Sequence, residues 1–152
     1  MVHVPLDDRS YQIDITSGLL ADAANRIHQV IPDLSHAIVI ADAAVEKAWA
    51  NQIHEALSAG PKQIRISRQT VASGEPSKSI AEFERLLEWV LAEGGDRRSV
   101  IVAVGGGVIG DLAGYVAASF TRGIRFIQVP TTLLAMVDSS VGGKTGINLP
   151  GA

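Results

Sequence analysis

A lysine stands among glycines in residues 137–148, which read VDSSVGGKTGIN. The triplet GKT around Lys144 has the form of the end of a phosphate-binding P-loop. A P-loop also requires a glycine five residues before Gly143, but that position holds Asp138, whose carboxylate would repel phosphate. It further requires a strand directly before it, whereas residues 133–137 have the apolar pattern of a short helix. The sequence therefore argues against an ATPase of the P-loop class.

Polar side chains crowd around this lysine and follow an apolar run. A lysine can bind the phosphate or carboxylate of a small molecule, while aspartate and asparagine can bind its hydroxyl groups. A polyhydroxylated anion is therefore one candidate ligand, and a solvated lysine on a mobile loop is the alternative interpretation. The cluster consists of Asp138, Ser139, Ser140, Lys144, Thr145 and Asn148.

A glycine-rich turn follows the most strand-like run of the chain, VIVAV. Gly105, Gly107 and Gly110 have the spacing of a dinucleotide-binding turn, with a predicted strand before them and a predicted helix after them. Residues without Cβ allow a phosphate to approach the backbone, and the unpaired N–H groups of a helix N-terminus attract it. The same residues would also suit a tight turn without a ligand. Small residues on one face should bring this helix close to its neighbour; they are Gly110, Ala113, Gly114, Ala117 and Ala118.

Two acidic residues belong to this candidate nucleotide site. In an ordinary Rossmann domain the acid that binds ribose lies about 20 residues after the glycines, but here the next strand ends at 128–130, which read QVP. Asp42 directly follows another apolar run, AIVIA, and is the alternative ribose acid. Asp111 is predicted to lie in the first helical turn, where a carboxylate interacts well with the helix dipole but would repel a pyrophosphate. We expect Asp111 either to serve the helix alone or to face a ribose, an amide or the nicotinamide side of a cofactor.

Strand-like runs alternate with helical periodicity along the chain. This alternation predicts an α/β fold with a mostly parallel sheet flanked by helices, a Rossmann-like nucleotide-binding domain that covers residues 1–152. Asp42 and Ser79 are predicted helix N-caps, the latter with a capping-box Glu82, and Gly94-Gly95 ends a helix. The predicted strands are 11–16, 37–41, 63–66, 100–104 and 125–129, a loop covers 70–78, and the last predicted helix runs from 107 to about 120. The apolar stripes of the other helices are Leu20, Ala23, Ile27 and Val30, then Val45, Ala48, Ile53, Ala56 and Leu57, and finally Ile80, Phe83, Leu87 and Val90.

The composition describes a globular chain and excludes several kinds of partner. The 152 residues are 47% apolar and 19% charged, and the net charge of −3 comes without a basic block, so nucleic acid is not an expected partner. The lack of cysteine excludes disulfides and thiolate metal sites and fits a reducing compartment such as the cytoplasm. No apolar run is long enough to span a membrane, and the N-terminal residues lack the pattern of a signal peptide.

The histidines do not form a recognisable metal site. They are far in sequence from the glycine-rich segments and lack the helical spacing of a two-histidine site. We therefore expect each of them to be a structural residue at the surface or partly buried, and we expect no metal ligand in this chain. The four are His3, His28, His36 and His54.

The segment 105–148, GGGVIGDLAGYVAASFTRGIRFIQVPTTLLAMVDSSVGGKTGIN, closely resembles the signature region of the 3-dehydroquinate synthase family. Residues 73–79, SGEPSKS, and the turn at Asp42 are also similar to that family. The resemblance implies an NAD-dependent lyase of the shikimate pathway that forms 3-dehydroquinate and phosphate from 3-deoxy-D-arabino-heptulosonate 7-phosphate (DAHP). In the implied reaction a hydroxyl is oxidised, phosphate is eliminated, the ketone is reduced again, and the ring opens and recloses by an aldol step.

The resemblance also implies a role for individual residues. Asp138 and Lys144 correspond to residues that hold substrate hydroxyls and carboxylate or phosphate. Arg122 corresponds to an arginine that crosses a homodimer interface to the substrate phosphate, although a solvated arginine at a helix end is the alternative. Within the cofactor set, Asp42, Glu75 and Lys78 face the adenosine side, the turn at 106–108 holds the pyrophosphate, and Asp111 contacts the cofactor further along. The implied cofactor contacts are Asp42, Ser73, Gly74, Glu75, Pro76, Ser77, Lys78, Gly106, Gly107, Val108, Ile109, Gly110, Asp111, Thr131, Thr132 and Lys144.

The resemblance further implies a divalent metal, zinc or cobalt, bound by one glutamate and two histidines of a helical C-terminal domain. We expect that domain to be absent from these 152 residues, which end on the loop-like NLPGA, and we expect the chain alone to be inactive. Three alternatives stay open. They are another sugar phosphate cyclase, a polyol dehydrogenase of similar fold that releases NADH, and a non-catalytic NAD-binding module.

Overall fold

A computed structural model describes residues 2–13, 15 and 18–150. Six strands and four α-helices occur in the described residues, joined by short 3₁₀ and π-helical turns. In chain order they are β1 (Val2–Val4), β2 (Tyr11–Ile13), α1 (Ala23–Val30), β3 (His36–Asp42), α2 (Asn51–Ser58), β4 (Arg65–Val71), α3 (Ile80–Ala92), β5 (Ser99–Gly105), α4 (Gly107–Ser119) and β6 (Arg125–Pro130), followed by a π-helical turn at Ala135–Ser139.

Four strands form one parallel sheet in the order β4-β3-β5-β6. The register pairs Asp42 with Val71 and Gly105 with Pro130, so the carboxyl ends of all four strands lie along one edge. In open parallel sheets this edge is where ligands bind. The strands β1 and β2 form a separate antiparallel hairpin.

Hydrophobic residues on both faces of the sheet hold the strands in place. Along β3, Val39 faces a core that includes Ile53 and Leu57 of α2, while Ile38 and Ile40 face a core built with α3 and α4. Each of these five side chains is at most 1% exposed. Complete burial of one such side chain stabilises the fold by roughly 1.5–3 kcal/mol. The sheet edge is therefore a rigid support for the segments that leave it.

The predicted parallel α/β architecture is confirmed, but two strand predictions need correction. The strand predicted at 63–66 begins at Arg65 and continues to Val71, because its later residues pair with β3. The predicted loop at 70–78 consequently starts at Ala72. The strand predicted at 11–16 is observed only for Tyr11–Ile13 and belongs to the hairpin, while residues 14 and 16 lie outside the described part.

The predicted helix ends are largely confirmed, whereas several predicted apolar stripes are shifted. Ser79 accepts a hydrogen bond from the N–H of Glu82, and Asp42 accepts one from the N–H of Ala44 at 2.8 Å. α3 ends before Gly94, whose φ of 70° needs a residue without Cβ. Four predicted members are exposed, namely Val30, Ala48, Ile80 and Ala118, whereas Ile31, Ala50 and Leu86, which were not predicted, are buried. No helix in the described ranges combines the length and apolar character needed to cross a membrane.

Candidate functional site

The glycine-rich turn joins the carboxyl end of β5 to the N-terminus of α4. Gly106 is the N-cap residue in an extended conformation, with φ −81° and ψ −169°, and it has no side chain to cap the helix. The first turn of α4 carries no acidic residue, so the predicted first-turn position of Asp111 is wrong; the helix begins at Gly107, and Asp111 lies just beyond its first turn. Unpaired N–H groups at such a helix N-terminus carry partial positive charge and bind anions. The turn can therefore accept a phosphate group.

Glycines in this turn allow three other segments to approach it closely. A Cβ on Gly105 would lie 3.1 Å from Cβ of Asp42, and one on Gly106 would lie 3.2 Å from Cγ2 of Thr132. A Cβ on Gly107 would lie 3.0 Å from Oγ of Ser139. The residues predicted as cofactor contacts after β3 and β6 are thus brought to the turn. Their contact with a cofactor stays a prediction.

Asp42 is half-buried at the end of β3, beside the glycine turn. One of its carboxylate oxygens accepts hydrogen bonds from the N–H of Ala44 and from the hydroxyl of Ser73. The Ser73 hydroxyl oxygen also lies 3.2 Å from the N of Ala44. These bonds fix the carboxylate and connect the loops after β3 and β4. The structure places Asp42 beside the glycine turn, and its contact with a ribose stays a prediction.

A 3₁₀ turn at Glu75–Ser77 follows Gly74, whose φ of 106° is readily adopted only by glycine. Pro76 occupies the start of this turn, where its missing N–H is not required. The hydroxyl of Ser77 donates to the carbonyl oxygen of Ala72 at 2.7 Å. This compact loop carries the predicted adenosine-side residues to the edge of α4.

Lys78 is tied to α4 by an ion pair with Asp111. The Nζ–Oδ2 distance is 2.7 Å, and the two side chains are only 18% and 21% exposed. The hydrogen bond to Asp111 is the main reason why the pKa of Lys78 is raised, with a smaller contribution from the charge of Glu75 at 3.8 Å. Lys78 therefore keeps its positive charge at neutral pH. The sequence predicted both residues as cofactor contacts but did not predict that they pair with each other.

The same loop also holds the segment that follows the glycine-lysine sequence. The N–H of Asn148 donates to the carbonyl oxygen of Lys78 at 2.7 Å, and its side-chain amide donates to Glu75 at 2.8 Å. An open groove of about 520 Å³ borders this connection, lined in part by Glu75, Lys78 and Asn148. The groove lies on the Lys78 side of the site and not over the glycine turn itself.

Thr131 and Thr132 follow β6 beside the glycine turn. The N–H of Thr131 donates to the carbonyl oxygen of Gly105 at 2.9 Å, and the hydroxyl of Thr132 accepts from the N–H of Ala135 at 3.2 Å. Within the described part of the chain, the buried oxygens Thr131 Oγ1 and Ser139 Oγ have no hydrogen-bond partner. Buried polar atoms are rarely left unpaired in a folded protein. Their position fits a bound ligand that offers polar groups next to the turn.

Other predicted contacts on α4 have different surroundings. The side chain of Ile109 is completely buried in the core, and Gly110 is buried against the side chain of Gln128. Only the backbone of these two residues can face a ligand. Val108 is half-buried, so its side chain is closer to the surface.

Lys144 lies on an exposed loop and forms an ion pair with Asp138. Both side chains are more than half exposed, at 54% and 56%, so the pair contributes little to stability and can open for a ligand. Gly142 and Gly143 have φ values of 85° and 68°, which shape the loop. The negative charge of Asp138, which would repel a phosphate, is therefore neutralised by Lys144.

Arg122 lies apart from the other predicted residues. It is exposed in a turn directly after α4, at the opposite end of this helix from Gly107, and a helix of 13 residues is about 20 Å long. Both Thr121 and Arg122 have positive φ, at 47° and 70°. Within one chain, the structure does not bring Arg122 to the candidate site.

Two histidines, His28 and His36, are buried, in contrast to the expected surface or partly buried positions. His36 Nε2 lies 2.9 Å from the hydroxyl of Ser67 at the amino end of the sheet, and burial lowers the pKa of His36. His28 is buried in α1. Among the described residues, no group of three or more histidine, aspartate or glutamate side chains is placed to hold a metal ion.

One contact to this site could not be anticipated from the sequence. The hydroxyl of Tyr11 accepts a hydrogen bond from the N–H of Gly142 at 2.9 Å, across 131 positions of the chain. No motif connects the N-terminal hairpin with the lysine loop. Only the tertiary structure reveals this link.

Comparison with known proteins shows which family the sequence matches. The sequence model described as 3-dehydroquinate synthase N-terminal matches residues 68–152. A 3-dehydroquinate synthase of Rhodopirellula baltica is 53% identical over 99% of this chain and 41% of its own length. One of Ruegeria pomeroyi is 46% identical over 97% of this chain and 39% of its own length. The chain thus spans about two fifths of the length of these curated relatives.

Solved structures of sugar phosphate cyclases have the same fold. A 2-deoxy-scyllo-inosose synthase in complex with carbaglucose-6-phosphate, NAD⁺ and Co²⁺ superposes with a TM-score of 0.86 and 30% identity, over 97% of this chain and 39% of that one. The 2-epi-5-epi-valiolone synthase of Streptomyces hygroscopicus subsp. jinggangensis, with NAD⁺ and Zn²⁺ bound, superposes with a TM-score of 0.77 and 26% identity, over 96% of this chain and 39% of that one.

Proposed function

This chain belongs to the 3-dehydroquinate synthase family, and on that premise we propose that it supplies the NAD site and part of the substrate site of an enzyme that converts DAHP to 3-dehydroquinate and phosphate. The observation that carries the proposal is the meeting of the uncapped α4 N-terminus, the Lys78–Asp111 pair and the Lys144 loop at one sheet edge. The reaction is the second step of the shikimate pathway, and the complete protein would be a cytoplasmic carbon–oxygen lyase.

The residues around the glycine turn fit NAD. The backbone at 106–108 would bind the pyrophosphate, because the N-terminus of α4 has no side-chain cap and offers unpaired N–H groups. Asp42 would accept hydrogen bonds from a ribose, and the unpaired hydroxyl of Thr131 would bind a polar group of the cofactor. The chemistry that a bound NAD supplies is reversible hydride transfer, which acidifies a neighbouring C–H when the substrate hydroxyl is oxidised.

The exposed Lys144 and Asp138 would hold the substrate. When the ion pair opens, the ammonium group would bind the carboxylate or phosphate of DAHP, and the carboxylate would accept hydrogen bonds from its hydroxyls. Zinc or cobalt would be held by residues outside these 152. Arg122 would act in a homodimer, where its position at the far end of α4 would let it reach the substrate phosphate of the partner subunit.

Calorimetry with NAD and then DAHP tests the proposal. NAD should bind the chain, and DAHP should then bind the NAD-loaded chain. Gly107→Ala should weaken NAD binding at least about tenfold, because the new methyl group fills the space next to Ser139. Gly146→Ala is the matched control, since its Cβ would meet no atom within 4 Å. Absence of NAD binding, or equal NAD binding by both variants, would contradict the proposed cofactor site.

The isolated chain should bind without turnover. Phosphate release from DAHP should be absent when the 152 residues are mixed with NAD and zinc, because the proposed metal ligands lie elsewhere. Phosphate release at an enzymatic rate would contradict this part of the proposal.

Another sugar phosphate cyclase is the second candidate, because the structural likeness to 2-deoxy-scyllo-inosose synthase has a TM-score of 0.86. Parallel titrations of the NAD-loaded chain with DAHP and with carbaglucose 6-phosphate would separate the two candidates. Tighter binding of DAHP is expected, and tighter binding of carbaglucose 6-phosphate would favour the alternative.

A further inference from the structure

Tyr11 connects the N-terminal hairpin to the loop that carries Lys144. This tyrosine begins β2, and β2 pairs only with β1 among the described strands. Its side chain is half-buried, and its hydroxyl accepts the N–H of Gly142 at 2.9 Å. The hairpin therefore contacts the loop through a backbone group, which any residue at position 142 except proline could offer.

On this side of Lys144 the loop is otherwise restrained by the hydrogen bond from the N–H of Val141 to the carbonyl oxygen of Asp138 at 3.0 Å and by the exposed Lys144–Asp138 ion pair. A Cβ on Gly142 or on Gly143 would meet no atom within 4 Å, so both residues stand in open space. Two glycines also lose much backbone entropy when they are fixed in one conformation. A hydrogen bond at Gly142 is therefore well placed to limit the motion of the next two residues.

The other side of Lys144 is fixed by contacts with α4. The N–H of Gly146 donates to the carbonyl oxygen of Asp111 at 3.2 Å. The methyl group of Thr145 lies so close to Gly114 that a Cβ there would be 2.4 Å from it. With Tyr11 on one side and α4 on the other, only residues 143 and 144 lie between two anchored points.

We infer that Tyr11 is a positioning residue that orders the loop around Lys144 before an anionic ligand arrives. The inference rests on the proposed function in one respect, because DAHP is the ligand that Lys144 is proposed to bind. Ordering the loop in advance reduces the entropy lost on binding and so raises affinity. The effect should be larger for DAHP than for NAD, because Lys144 is the one implied NAD contact in this loop and the others lie at the turn, at Asp42, in residues 73–78 and after β6.

Tyr11→Phe tests the inference because it keeps the ring and removes the acceptor oxygen. Amide hydrogen exchange by NMR should show Gly142 protected in the parent chain and exchanging about three- to tenfold faster in the variant. Tyr115→Phe is the control, since this tyrosine lies on α4 with its ring 4.9 Å from that of Phe83. It should leave Gly142 unchanged. If the Gly142 amide is unprotected in the parent chain, or exchanges equally fast in Tyr11→Phe and Tyr115→Phe, the hydrogen bond between Tyr11 and Gly142 does not hold the loop.

Calorimetry then tests the positioning role. Tyr11→Phe should weaken binding of DAHP to the NAD-loaded chain about three- to tenfold and weaken binding of NAD less. Faster exchange at Gly142 with unchanged DAHP affinity would overturn the positioning role. If the parent chain does not bind DAHP, the proposed substrate is wrong, and the exchange experiment still decides whether Tyr11 holds the loop.

Discussion

Gly114 allows the Lys144 loop to lie directly on α4, and its replacement by alanine should separate them. A Cβ at position 114 would lie 2.4 Å from Cγ2 of Thr145 and 3.1 Å from Cε1 of Phe126. Ordinary carbon–carbon contact begins near about 3.5 Å, so Thr145 would have to move by about 1 Å. Phe126 is a half-buried residue of β6 and cannot move freely.

Two opposing effects set the size of the change. Overpacking of this kind costs about 1–3 kcal/mol, whereas alanine is favoured over glycine within a helix by about 1 kcal/mol. We expect Gly114→Ala to lower the free energy of unfolding by about 1 kcal/mol. In a chain of this length that corresponds to roughly 2–4 °C in Tm. The displaced Thr145 should also shift Lys144.

Urea denaturation of four proteins measures the effect and identifies its cause. They are the parent chain, Gly114→Ala, Thr145→Ser and the double variant. Thr145→Ser removes the methyl group that the new Cβ would meet, so the double variant should recover most of the stability lost in Gly114→Ala. Gly146→Ala is the control for a glycine replacement in open space. A Gly114→Ala chain that is more stable than the parent by the full helix-propensity difference would refute the reasoning, as would additive effects in the double variant.

Three further predictions concern charged groups. Asp111→Asn should lower the free energy of unfolding by about 1–2 kcal/mol, because Lys78 loses a charged hydrogen-bond partner that is only 21% exposed. Urea denaturation measures this change, with Glu88→Gln at an exposed position of α3 as the control. An effect no larger than that of the control would contradict the prediction. Lys144→Met should change the free energy of unfolding by less than about 0.5 kcal/mol, because the ion pair of Lys144 is exposed. The same variant should weaken DAHP binding in calorimetry. A large loss of stability would contradict the assignment of Lys144 as a ligand-binding residue. Burial lowers the pKa of His36 below 6.5, so the unfolded chain binds the proton more readily and stability should fall as the pH decreases below that value, by at most about 1.4 kcal/mol per pH unit. Urea midpoints at pH 7.5 and 5.5 should therefore differ more in the parent than in His36→Gln, and equal differences would show that another group is responsible.

The sequence predicts the sheet because local patterns determine it. Runs such as 37–41 and 100–104 are continuously apolar, as expected for strands buried on both faces. The glycine spacing and the helix caps are equally local signals. Gly114 was predicted from its place on a face of small residues, and the structure shows the loop that this face admits.

The features that the sequence does not predict depend on contacts between residues that are distant in sequence. The polar end of β4 does not look like a strand, and it extends to Val71 only because β3 offers it a complete set of hydrogen-bond partners. The pairing of Lys78 with Asp111 and the contact of Tyr11 with Gly142 join residues 33 and 131 positions apart. No periodicity encodes such contacts. They follow from packing once the sheet has formed.

The parallel pairing of the sheet has a consequence for how this chain gains its structure. His36 of β3 is paired with Arg65 of β4 on one side and with Ser99 of β5 on the other, so neither pair can form until a long stretch of chain has closed into a loop. Closing such long loops costs conformational entropy before any stabilising contact forms, and folding is therefore slow. The loops at the carboxyl ends of the strands become ordered only after the sheet has formed. A molecule bound there would therefore recognise only the native state, shift the unfolding equilibrium of the whole domain, and protect even distant helices from proteolysis.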